Sequence, residues 1–439
     1  MTKMSFAFIN CTVIDGTLNG DPIEDAVVLL ERTSQNPSQS GIIKEVGSKG
    51  IVKVPRGYSS VDLAGKFLLP GLINAHVHLM GDGKPKQRTS GRNLERLIRF
   101  SKTSLGKRIF LRLMRQNLEN SLNSGVTTVR SMGEPFHYET ILRKQIEEGV
   151  FVGPRLITAG RGICASGGHG ASIFLIADSP YEGRRAVRIN LREGADFIKM
   201  LNTGGVSDAR RIGEAGQVQM TLEEIEAVCD EAHRAGSLVA AHAESKLGVK
   251  EALLGGADTI EHGSEIDEEM VRLFKNNEKS LRGYTALIPT FSAFHGIIDN
   301  ATNKKLKWSS IQIENAKKVL EGVIEGFQTA IGKGINVGLG TDAFVPFVTH
   351  YNAWKELEYF VRYGNISNKH AIHIGTLGTA QILGVERNTG SIETGKSADF
   401  MVVNEDPLKN LATLSTPSMV CRSGIIIKKP RIRKVKGVD

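Results

Sequence analysis

Phe67-Leu-Leu-Pro-Gly-Leu-Ile-Asn-Ala-His76-Val-His78-Leu79 is an apolar run that ends in two histidines two positions apart. Its length and composition are typical of a buried β-strand. Because side chains alternate across a strand, His76 and His78 would face the same side and could together hold one metal ion. A His-x-His tripeptide also arises by chance, with one ring serving as an ordinary hydrogen-bonded group. The rest of the chain has to decide between these two interpretations.

From residue 67 onward, short apolar runs alternate with longer helical patterns, as in a protein built from parallel strand–helix units. Eight of these runs are strand candidates: residues 67–79, 126–133, 155–160, 196–202, 237–244, 258–263, 287–294 and 336–341. Eight successive units predict an α/β fold, a closed (β/α)8 TIM barrel. The 48 glycines suit the many tight turns that such a fold needs.

The clearest helical pattern runs from Thr221 to Gly236. Thr221 and Glu224 have the spacing of a capping box, and Gly236 is a typical residue to end a helix. Residues 309–333 predict a second, longer helix ahead of the eighth strand candidate.

The two ends of the chain do not follow this alternation. Short strand patterns occur there at residues 6–15, 26–31, 398–404 and 424–428. Because termini that meet beside a barrel can pair, we expect residues 1–66 and 390–439 to form one small discontinuous β-sandwich domain. The barrel would then occupy residues 67–389.

The composition is that of a globular protein, with 40% hydrophobic and 23% charged residues among 439. The four cysteines lie far apart, which favours neither disulfides nor a thiolate metal site and fits a reducing compartment. No apolar stretch approaches the roughly 18 residues that a membrane span needs, and the start of the chain resembles a strand more than a signal peptide. We therefore expect a cytoplasmic protein, as a homo-oligomer, with no membrane partner.

The formal net charge of +9 is the only feature that suggests a nucleic-acid partner. Much of this charge lies in residues 428–436, a short basic tail. Such tails are usually solvated surface, so we expect no nucleic acid.

Polar residues fall at the carboxyl ends of the predicted strands, where barrel enzymes build their active sites. They are His76, His78, Lys199, His242, His262 and Asp342. A lysine within an apolar strand is costly unless its charge is removed or paired. If the Lys199 amine reacted with carbon dioxide, the resulting carbamate could bridge two cations about 3.5–4 Å apart. The alternative is a salt bridge from Lys199 to Asp342 or Glu261.

The order and spacing of eight motifs resemble those of the amidohydrolase superfamily. The motifs are Leu69-Pro-Gly-Leu-Ile-Asn-Ala-His-Val-His78, Gly125-Val-Thr-Thr-Val-Arg130, Gly167-Gly-His-Gly170, Ile198-Lys-Met-Leu-Asn-Thr-Gly-Gly-Val206, Ala241-His242-Ala243, Ile260-Glu-His-Gly263, Gly340-Thr-Asp342 and Gly390-Ser-Ile-Glu-Thr-Gly-Lys-Ser-Ala-Asp399. The resemblance is to the branch with prolidase-like and Xaa-Arg(Lys) carboxypeptidase-like enzymes, related to imidazolonepropionases and ochratoxin-type amidases.

This resemblance implies a ligand set. It assigns His76 and His78 to a first divalent metal ion, His242 and His262 to a second, and a carboxylated Lys199, formed with carbon dioxide, to the bridge between them. Zinc is the expected metal, and no other cofactor-binding residue is expected. Asp342 would bind the first metal and move the proton. An aspartate after Gly-Thr is also a common helix N-cap.

The implied activity is hydrolysis of the amide or peptide bond of a small-molecule substrate, a dipeptide or an N-acyl amino acid. A hydroxide that bridges two divalent ions is nucleophilic at neutral pH, because the metals lower the pKa of its parent water. Asp342 would act as general base and then as general acid. A cyclic-amide hydrolase similar to imidazolonepropionase and a mononuclear deaminase remain as alternatives. A non-catalytic scaffold is disfavoured, because all six ligand residues are present.

Residues in the loops after the strands are candidates for contact with the substrate. His169 and His137 are candidate catalytic groups at the carbonyl, and Tyr138 is a candidate for substrate binding. Arg210 and Arg211 could hold a terminal carboxylate. All five are also common as surface or packing groups. The segment Arg130-Ser-Met-Gly133 departs from the Arg-Asp-Leu-Gly common in the resembled branch, which puts a role for that loop in doubt.

Residues 390–397, Gly-Ser-Ile-Glu-Thr-Gly-Lys-Ser, match the nucleotide-binding pattern G-x-x-x-x-G-K-[ST]. A phosphate-binding loop needs a buried strand before it and a helix after it. Here a helical pattern precedes the motif and a strand pattern follows it. We therefore expect only a turn that enters the small β domain.

Overall fold

The computed structural model describes residues 4–32, 41–85, 91–303, 306 and 308–438. The strands in these ranges are β1 (Met4–Val13), β2 (Ile23–Arg32), β3 (Gly41–Ser48), β4 (Ser59–Pro70), β5 (Leu72–Val77), β6 (Val126–Ser131), β7 (Arg155–Thr158), β8 (Ile163–Cys164), β9 (Leu175–Ile176), β10 (Ile198–Leu201), β11 (Val239–Ala243), β12 (Thr259–His262), β13 (Ala286–Ile288), β14 (Phe400–Val403), β15 (Met419–Arg422) and β16 (Ile425–Ile427). The α-helices in the same ranges are α1 (Gly91–Ser101), α2 (Ser104–Asn123), α3 (Tyr138–Glu147), α4 (Pro180–Arg192), α5 (Leu222–Arg234), α6 (Lys246–Gly255), α7 (Glu268–Lys275), α8 (Phe291–Ile298), α9 (Ser310–Lys333), α10 (Trp354–Gly364), α11 (Asn368–His373) and α12 (Thr379–Leu383). None of these helices is both long and apolar enough to cross a membrane.

Strands from both ends of the chain form one seven-stranded sheet, in the order β16-β15-β14-β4-β1-β2-β3. β1 and β4 pair in parallel, whereas the other neighbours are antiparallel. In its core, Phe8 of β1 meets Phe400 of β14 with ring centroids 5.0 Å apart. β4 continues to Pro70, so this sheet includes residues on both sides of the boundary predicted at residue 66.

The first predicted strand, residues 67–79, is divided at Gly71. Residues up to Pro70 belong to β4, and Leu72 begins β5. The Gly71 N–H donates to Asp399 O at 3.1 Å, and a Cβ at this position would lie 2.2 Å from Cγ2 of Thr127. The chain therefore passes at a glycine from the seven-stranded sheet into the parallel strands that carry the histidines.

The parallel strands form two ladders, β13-β12-β11-β10-β8-β9 and β5-β6-β7. Residues 336–343, which contain the eighth strand candidate, form bridges to β13 and to β5. There the Ala75 N–H donates to Leu339 O at 2.7 Å. At the other end of the β5-β6-β7 ladder, the Asp196 N–H donates to Thr158 O at 2.7 Å. Hydrogen bonds thus connect the two ladders at both of these places.

The seventh predicted strand, residues 287–294, is wrong beyond Ile288. β13 ends there, and α8 begins at Phe291. The Glu356 carboxylate accepts hydrogen bonds from the Phe291 N–H at 2.6 Å and the Ser292 N–H at 2.9 Å. A side chain distant in sequence therefore caps this helix, and a local apolar pattern contains no sign of it.

Two helices begin and end where their sequence signals predict. α5 follows Thr221 with the complete capping box, in which the Glu224 N–H donates to Thr221 Oγ1 at 3.3 Å. α9 has Ser309 as its N-cap and the left-handed Gly334, at φ 67°, as its C-cap.

The segment at residues 390–397 forms no helix and is followed by β14. Lys396 Nζ donates to Ser391 Oγ and, at 3.1 Å, to Glu393 Oε1. Its lysine is thus bonded within the turn, as expected for a segment that does not bind phosphate.

Candidate metal centre

The six predicted ligand residues lie at or near the carboxyl ends of parallel strands. Four are within strands, with His76 in β5, Lys199 in β10, His242 in β11 and His262 in β12. His78 directly follows β5, and Asp342 lies in the segment that bridges β13 and β5. The parallel arrangement brings side chains from distant parts of the sequence to one place.

His76 and His78 converge on one carboxylate oxygen. The Nε2 atom of each imidazole lies 3.5 Å from Asp342 Oδ1. The Asp342 N–H donates to His76 O at 2.8 Å, which ties this aspartate to the end of β5. Donor atoms of His76, His262 and Asp342 all lie within 4.8 Å of one another.

Three of the histidines use Nδ1 for a supporting hydrogen bond. The partner of His76 Nδ1 is Glu261 Oε2 at 2.7 Å, that of His78 is Gly133 O at 3.1 Å, and that of His262 is Thr290 Oγ1 at 2.7 Å. Such partners orient an imidazole and leave Nε2 for a metal.

A second group of donor atoms shares His262 with the first. Donor atoms of His242, Glu244 and His262 lie within 4.8 Å of one another, and the imidazole centroids of His242 and His262 are 4.6 Å apart. Sequence reasoning missed Glu244, although it stands two positions after His242 just as His78 does after His76. Two adjoining donor groups of nitrogen and oxygen atoms suit neighbouring divalent cations.

Lys199 is buried beside these donors. Its side chain is 3% exposed, and Nζ has no hydrogen-bond partner in the described ranges. Burial lowers the pKa of the Lys199 amine to about 8, so its neutral form is more accessible than that of a surface lysine. The predicted alternative of a hydrogen-bonded salt bridge to Asp342 or Glu261 is not formed. The donor set, with this unpartnered amine, fits a metal centre.

The electrostatic setting favours neutral imidazoles. Burial holds the pKa of His76, His242 and His262 well below the usual range, and that of His78 is also lowered by burial. Neutral histidine is the form that binds metal.

Glu261, which the sequence suggested only as a salt-bridge partner of Lys199, has a different role in the site. It is fully buried, and its second oxygen, Oε1, accepts hydrogen bonds from Arg130 Nη2 at 2.7 Å and Thr259 Oγ1 at 2.5 Å. Arg130 Nε also donates to Ala75 O at 2.6 Å. The Arg130–Glu261 pair therefore supports His76 from behind. The position of Glu261 directly before His262 was the sequence signal that could have indicated this supporting role.

The backbone at the site is strained. His262, Asp342 and Thr290 have positive φ values of 70°, 55° and 51°. Left-handed backbone at residues other than glycine costs on the order of 1–3 kcal/mol each and is held only where the surrounding structure imposes it. Strain at two candidate ligands, and at the partner of one, is typical of a functional site.

The structure brings His169 to the same cluster. Its ring centroid lies 4.7 Å from that of His242, and its Nδ1 lies 2.6 Å from Asp208 Oδ2. A Cβ on Gly205 would lie 2.7 Å from Cε1 of His169, so the glycine makes room for this ring.

The other four residues predicted to act on the substrate contact groups outside the cluster of ligand candidates. Tyr138 donates its hydroxyl to Ser101 O at 2.7 Å, and His137 begins α3 with its ring packed against Gly160. Arg210 and Arg211 are exposed, and their backbone N–H groups donate to Glu214. In the described part of the chain, no hydrogen bond or ion pair joins these four side chains to the metal-ligand candidates.

The arrangement of parallel strands and buried donors belongs to a known class of protein. The sequence profile of the amidohydrolase family matches residues 67–427, and this chain is a member of that family. Amidohydrolases generally use metal ions. The resemblance predicted from the eight motifs is thereby confirmed.

Three relatives show how far the likeness extends. Ochratoxinase of Aspergillus niger is 26% identical over 446 residues, which cover 94% of this chain and 85% of that protein. A crystal structure from Bifidobacterium longum, provisionally assigned as a prolidase, is 35% identical, has a TM-score of 0.85, and covers 99% of this chain and 97% of that one. A Xaa-Pro dipeptidase with methionine bound in its active site is 27% identical and has a TM-score of 0.81. The match covers 97% of this chain and 100% of that one. These likenesses support a fold of the TIM-barrel type and a hydrolase that acts on amide bonds.

Proposed function

We propose that this protein is a metal-dependent amidohydrolase that cleaves the amide or peptide bond of a dipeptide or an N-acyl amino acid. The observation that carries the proposal is the buried, unpartnered Lys199 amine at the strand ends where the histidines and Asp342 converge. A buried amine is costly in such a place, whereas a carbamate formed there from carbon dioxide would be a two-oxygen metal ligand. The prolidase-like and ochratoxinase relatives support an amide as the substrate.

In this proposal two zinc ions are held by the residues that the sequence predicts. His76, His78 and Asp342 would hold the first ion, His242 and His262 would hold the second, and a carbamate on Lys199 would supply a ligand shared by both. Ions bound there would activate a water molecule and polarise the scissile carbonyl group. The four histidines would contribute neutral nitrogen donors, and Asp342 together with the Lys199 carbamate would offset the positive charge.

Asp342 moves the proton. Its Oδ1 lies 3.5 Å from Nε2 of both His76 and His78, so a water activated by an ion at these atoms would lie within its reach. The carboxylate takes a proton from that water as general base and then delivers it to the leaving nitrogen as general acid. The second step is needed because an amide nitrogen leaves as a neutral amine.

His169 binds the substrate carbonyl in this proposal. Its Nδ1 is held by Asp208 at 2.6 Å, which orients the imidazole toward the cluster. In this proposal the imidazole donates a hydrogen bond to the oxyanion that forms during attack. Arg210 and Arg211, which follow Asp208 closely in sequence, would hold the terminal carboxylate of the substrate. The roles of His137 and Tyr138 stay predictions.

We also propose the domain arrangement predicted from the sequence. Residues 67–389 would act as one closed (β/α)8 barrel, and residues 1–66 with 390–439 as one small β-sandwich domain, with β4 running on to Pro70 as the connection between them. The seven-stranded sheet made from both chain ends, and the hydrogen bonds that link the two parallel ladders, support this arrangement. An experimental structure in which residues 336–343 are separated from β5 would contradict it.

The function is tested by hydrolysis assays on the metal-loaded protein. The panel contains Xaa-Pro dipeptides, dipeptides that end in arginine or lysine, and N-acyl amino acids, with amine release as the readout. We expect turnover within this panel, and its loss after prior treatment with a chelator. No turnover in the panel, together with opening of ring lactams, would overturn the proposal in favour of a cyclic-amide hydrolase.

A further inference from the structure

Glu244 is an unassigned acid at the centre of the site. It follows β11 directly and stands two positions after His242. Side chains at i and i+2 of an extended segment face the same side, so His242 and Glu244 repeat the arrangement of His76 and His78 on β5. The segment Ala241-His242-Ala243-Glu244 thus has the same two-residue spacing of donor side chains as His76 and His78.

The Glu244 carboxylate is held in place by its neighbours. Its Oε2 accepts a hydrogen bond from the Val206 N–H at 3.2 Å, and its backbone N–H donates to Thr203 Oγ1 at 3.1 Å. One of its oxygens lies within 4.8 Å of a ring nitrogen of His242 and of one of His262. These two bonds fix the acid against the loop after β10 and turn the carboxylate toward the histidines.

The described part of the chain gives this carboxylate no cationic partner at ion-pair distance. Glu244 is 8% exposed, and no ion pair to it occurs within the described ranges. A buried acid that faces two neutral imidazoles is costly by itself, but two nitrogen donors and one carboxylate form a common set of metal ligands.

We propose that Glu244 is a third protein ligand, besides Lys199, of the metal ion that His242 and His262 hold. This inference rests on the proposed metal dependence, but it does not depend on which amide is cleaved. With Glu244, the second ion has three protein ligands that it does not share with the first ion: His242, His262 and Glu244. The Lys199 bridge is then not the only anionic contact of that ion.

Cobalt(II) titration tests this assignment without substrate, because cobalt(II) bound in place of zinc has visible absorption bands that report its ligands. The variants are Glu244→Gln and Glu244→Asp, with Glu139→Gln as a matched control. Glu139 is a fully buried acid at the start of α3 and is not part of the donor groups. Metal affinity is measured by competition with a chelator.

We expect Glu244→Gln to weaken binding of the second equivalent by at least about tenfold and to change its absorption bands. The first equivalent should bind as in the wild type, and Glu139→Gln should alter neither. If Glu244→Gln failed to fold, as judged by circular dichroism in the presence of chelator, Glu244→Asp would decide the question, since its shorter carboxylate should alter the bands of the second ion.

The proposal is overturned if the folded Glu244 variants bind both equivalents with wild-type affinity and spectrum. Glu244 variants that change only KM would also overturn the proposal, because Glu244 would then contact the substrate and not the metal ion. A wild-type protein that binds two ions but hydrolyses no amide would contradict the proposed function and leave this ligand assignment intact. The two failures are therefore distinguishable.

Discussion

Lys199 shows how burial changes the chemistry of a single side chain. On a surface, a lysine is a solvated cation. In β10 its amine is buried and finds no hydrogen-bond partner among the residues that the structure describes, and burial lowers its pKa to about 8. A neutral amine is the form that reacts with carbon dioxide, so the same burial that makes the charge costly favours the carbamate.

If Lys199 carries the proposed carbamate, Lys199→Ala should remove the bridge between the two proposed metal ions. We expect the wild type to carry two equivalents of zinc per chain, the variant to carry fewer, and kcat/KM to fall by more than about 100-fold. Elemental analysis after dialysis measures the metal content. Lys250→Ala is the control, because Lys250 is a surface lysine paired with Glu269. One tightly bound equivalent that is unchanged by Lys199→Ala would rule out the bridge.

Glu261 gives a second prediction for a single residue. Its carboxylate holds His76 Nδ1 through one oxygen and Arg130 through the other. Glu261→Gln replaces the acceptor that orients this imidazole with an amide, so we expect metal affinity to fall about 10–100-fold. Chelator competition on the purified variant measures the affinity. Unchanged metal binding in a folded Glu261→Gln protein would show that His76 needs no such partner.

Among the elements, α8 depends most clearly on a distant side chain. Thr290 precedes this helix in a left-handed conformation and also bonds His262 Nδ1. Glu356 of α10 accepts hydrogen bonds from the first N–H groups of α8. The start of α8 is thereby coupled to the candidate metal centre on one side and to a buried acid on the other.

Glu356 predicts a pH dependence of stability. Burial raises its pKa to about 7, above the value of about 4.3 in an unfolded chain. The folded state then binds the proton more tightly, so this contribution to stability is complete below about pH 4 and is lost as the pH rises toward 7. At about 1.4 kcal/mol per pH unit, the loss is on the order of 3 kcal/mol.

Denaturant unfolding between pH 5 and 7 measures this effect. The free energy of unfolding of Glu356→Gln should fall less over this interval than that of the wild type, because glutamine does not ionise. Glu405→Gln, at an exposed acid, serves as the control. Parallel pH profiles for the wild type and Glu356→Gln would show that the buried acid is not the cause.

At the scale of the whole molecule, the two chain ends are joined to the parallel strands by shared residues. β4 passes through Gly71 into β5, which carries His76. Asp399, at the start of the C-terminal strands, accepts from the Gly71 N–H at 3.1 Å and pairs with Arg155 of β7 at 3.4 Å. The seven-stranded sheet thus braces the strands on which the candidate centre is built.

Removal of metal should affect the stability of the whole protein. A ligand that binds only the folded state stabilises it by RT ln(1 + [L]/Kd), about 4 kcal/mol at a thousand times Kd. Since the proposed ligands come from strands across both parallel ladders, we expect a chelator to lower the melting temperature and added zinc to restore it. Differential scanning calorimetry measures both changes. A melting temperature that is unaffected by chelator would contradict a bound metal ion.

Sequence reasoning succeeded where the signal is local or belongs to a family motif. The capping box at Thr221 and the helix at residues 309–333 need only neighbouring residues, and both are confirmed. The prediction of a seventh strand over residues 287–294 failed because an apolar run of eight residues fits a strand and a buried helix equally well. Its second half became α8 through the distant Glu356.

By itself, the amino-acid sequence determined the family, the α/β alternation and the positions of the six candidate ligands at strand ends. These follow from side-chain periodicity and from motif spacing, which are properties of the chain alone. Only the tertiary structure decided that the Lys199 amine has no hydrogen-bond partner among the described residues, that Glu261 supports His76, and that Glu244 lies among the donors. Burial and contact between residues far apart in sequence depend on how strands and loops pack, and no local pattern encodes them.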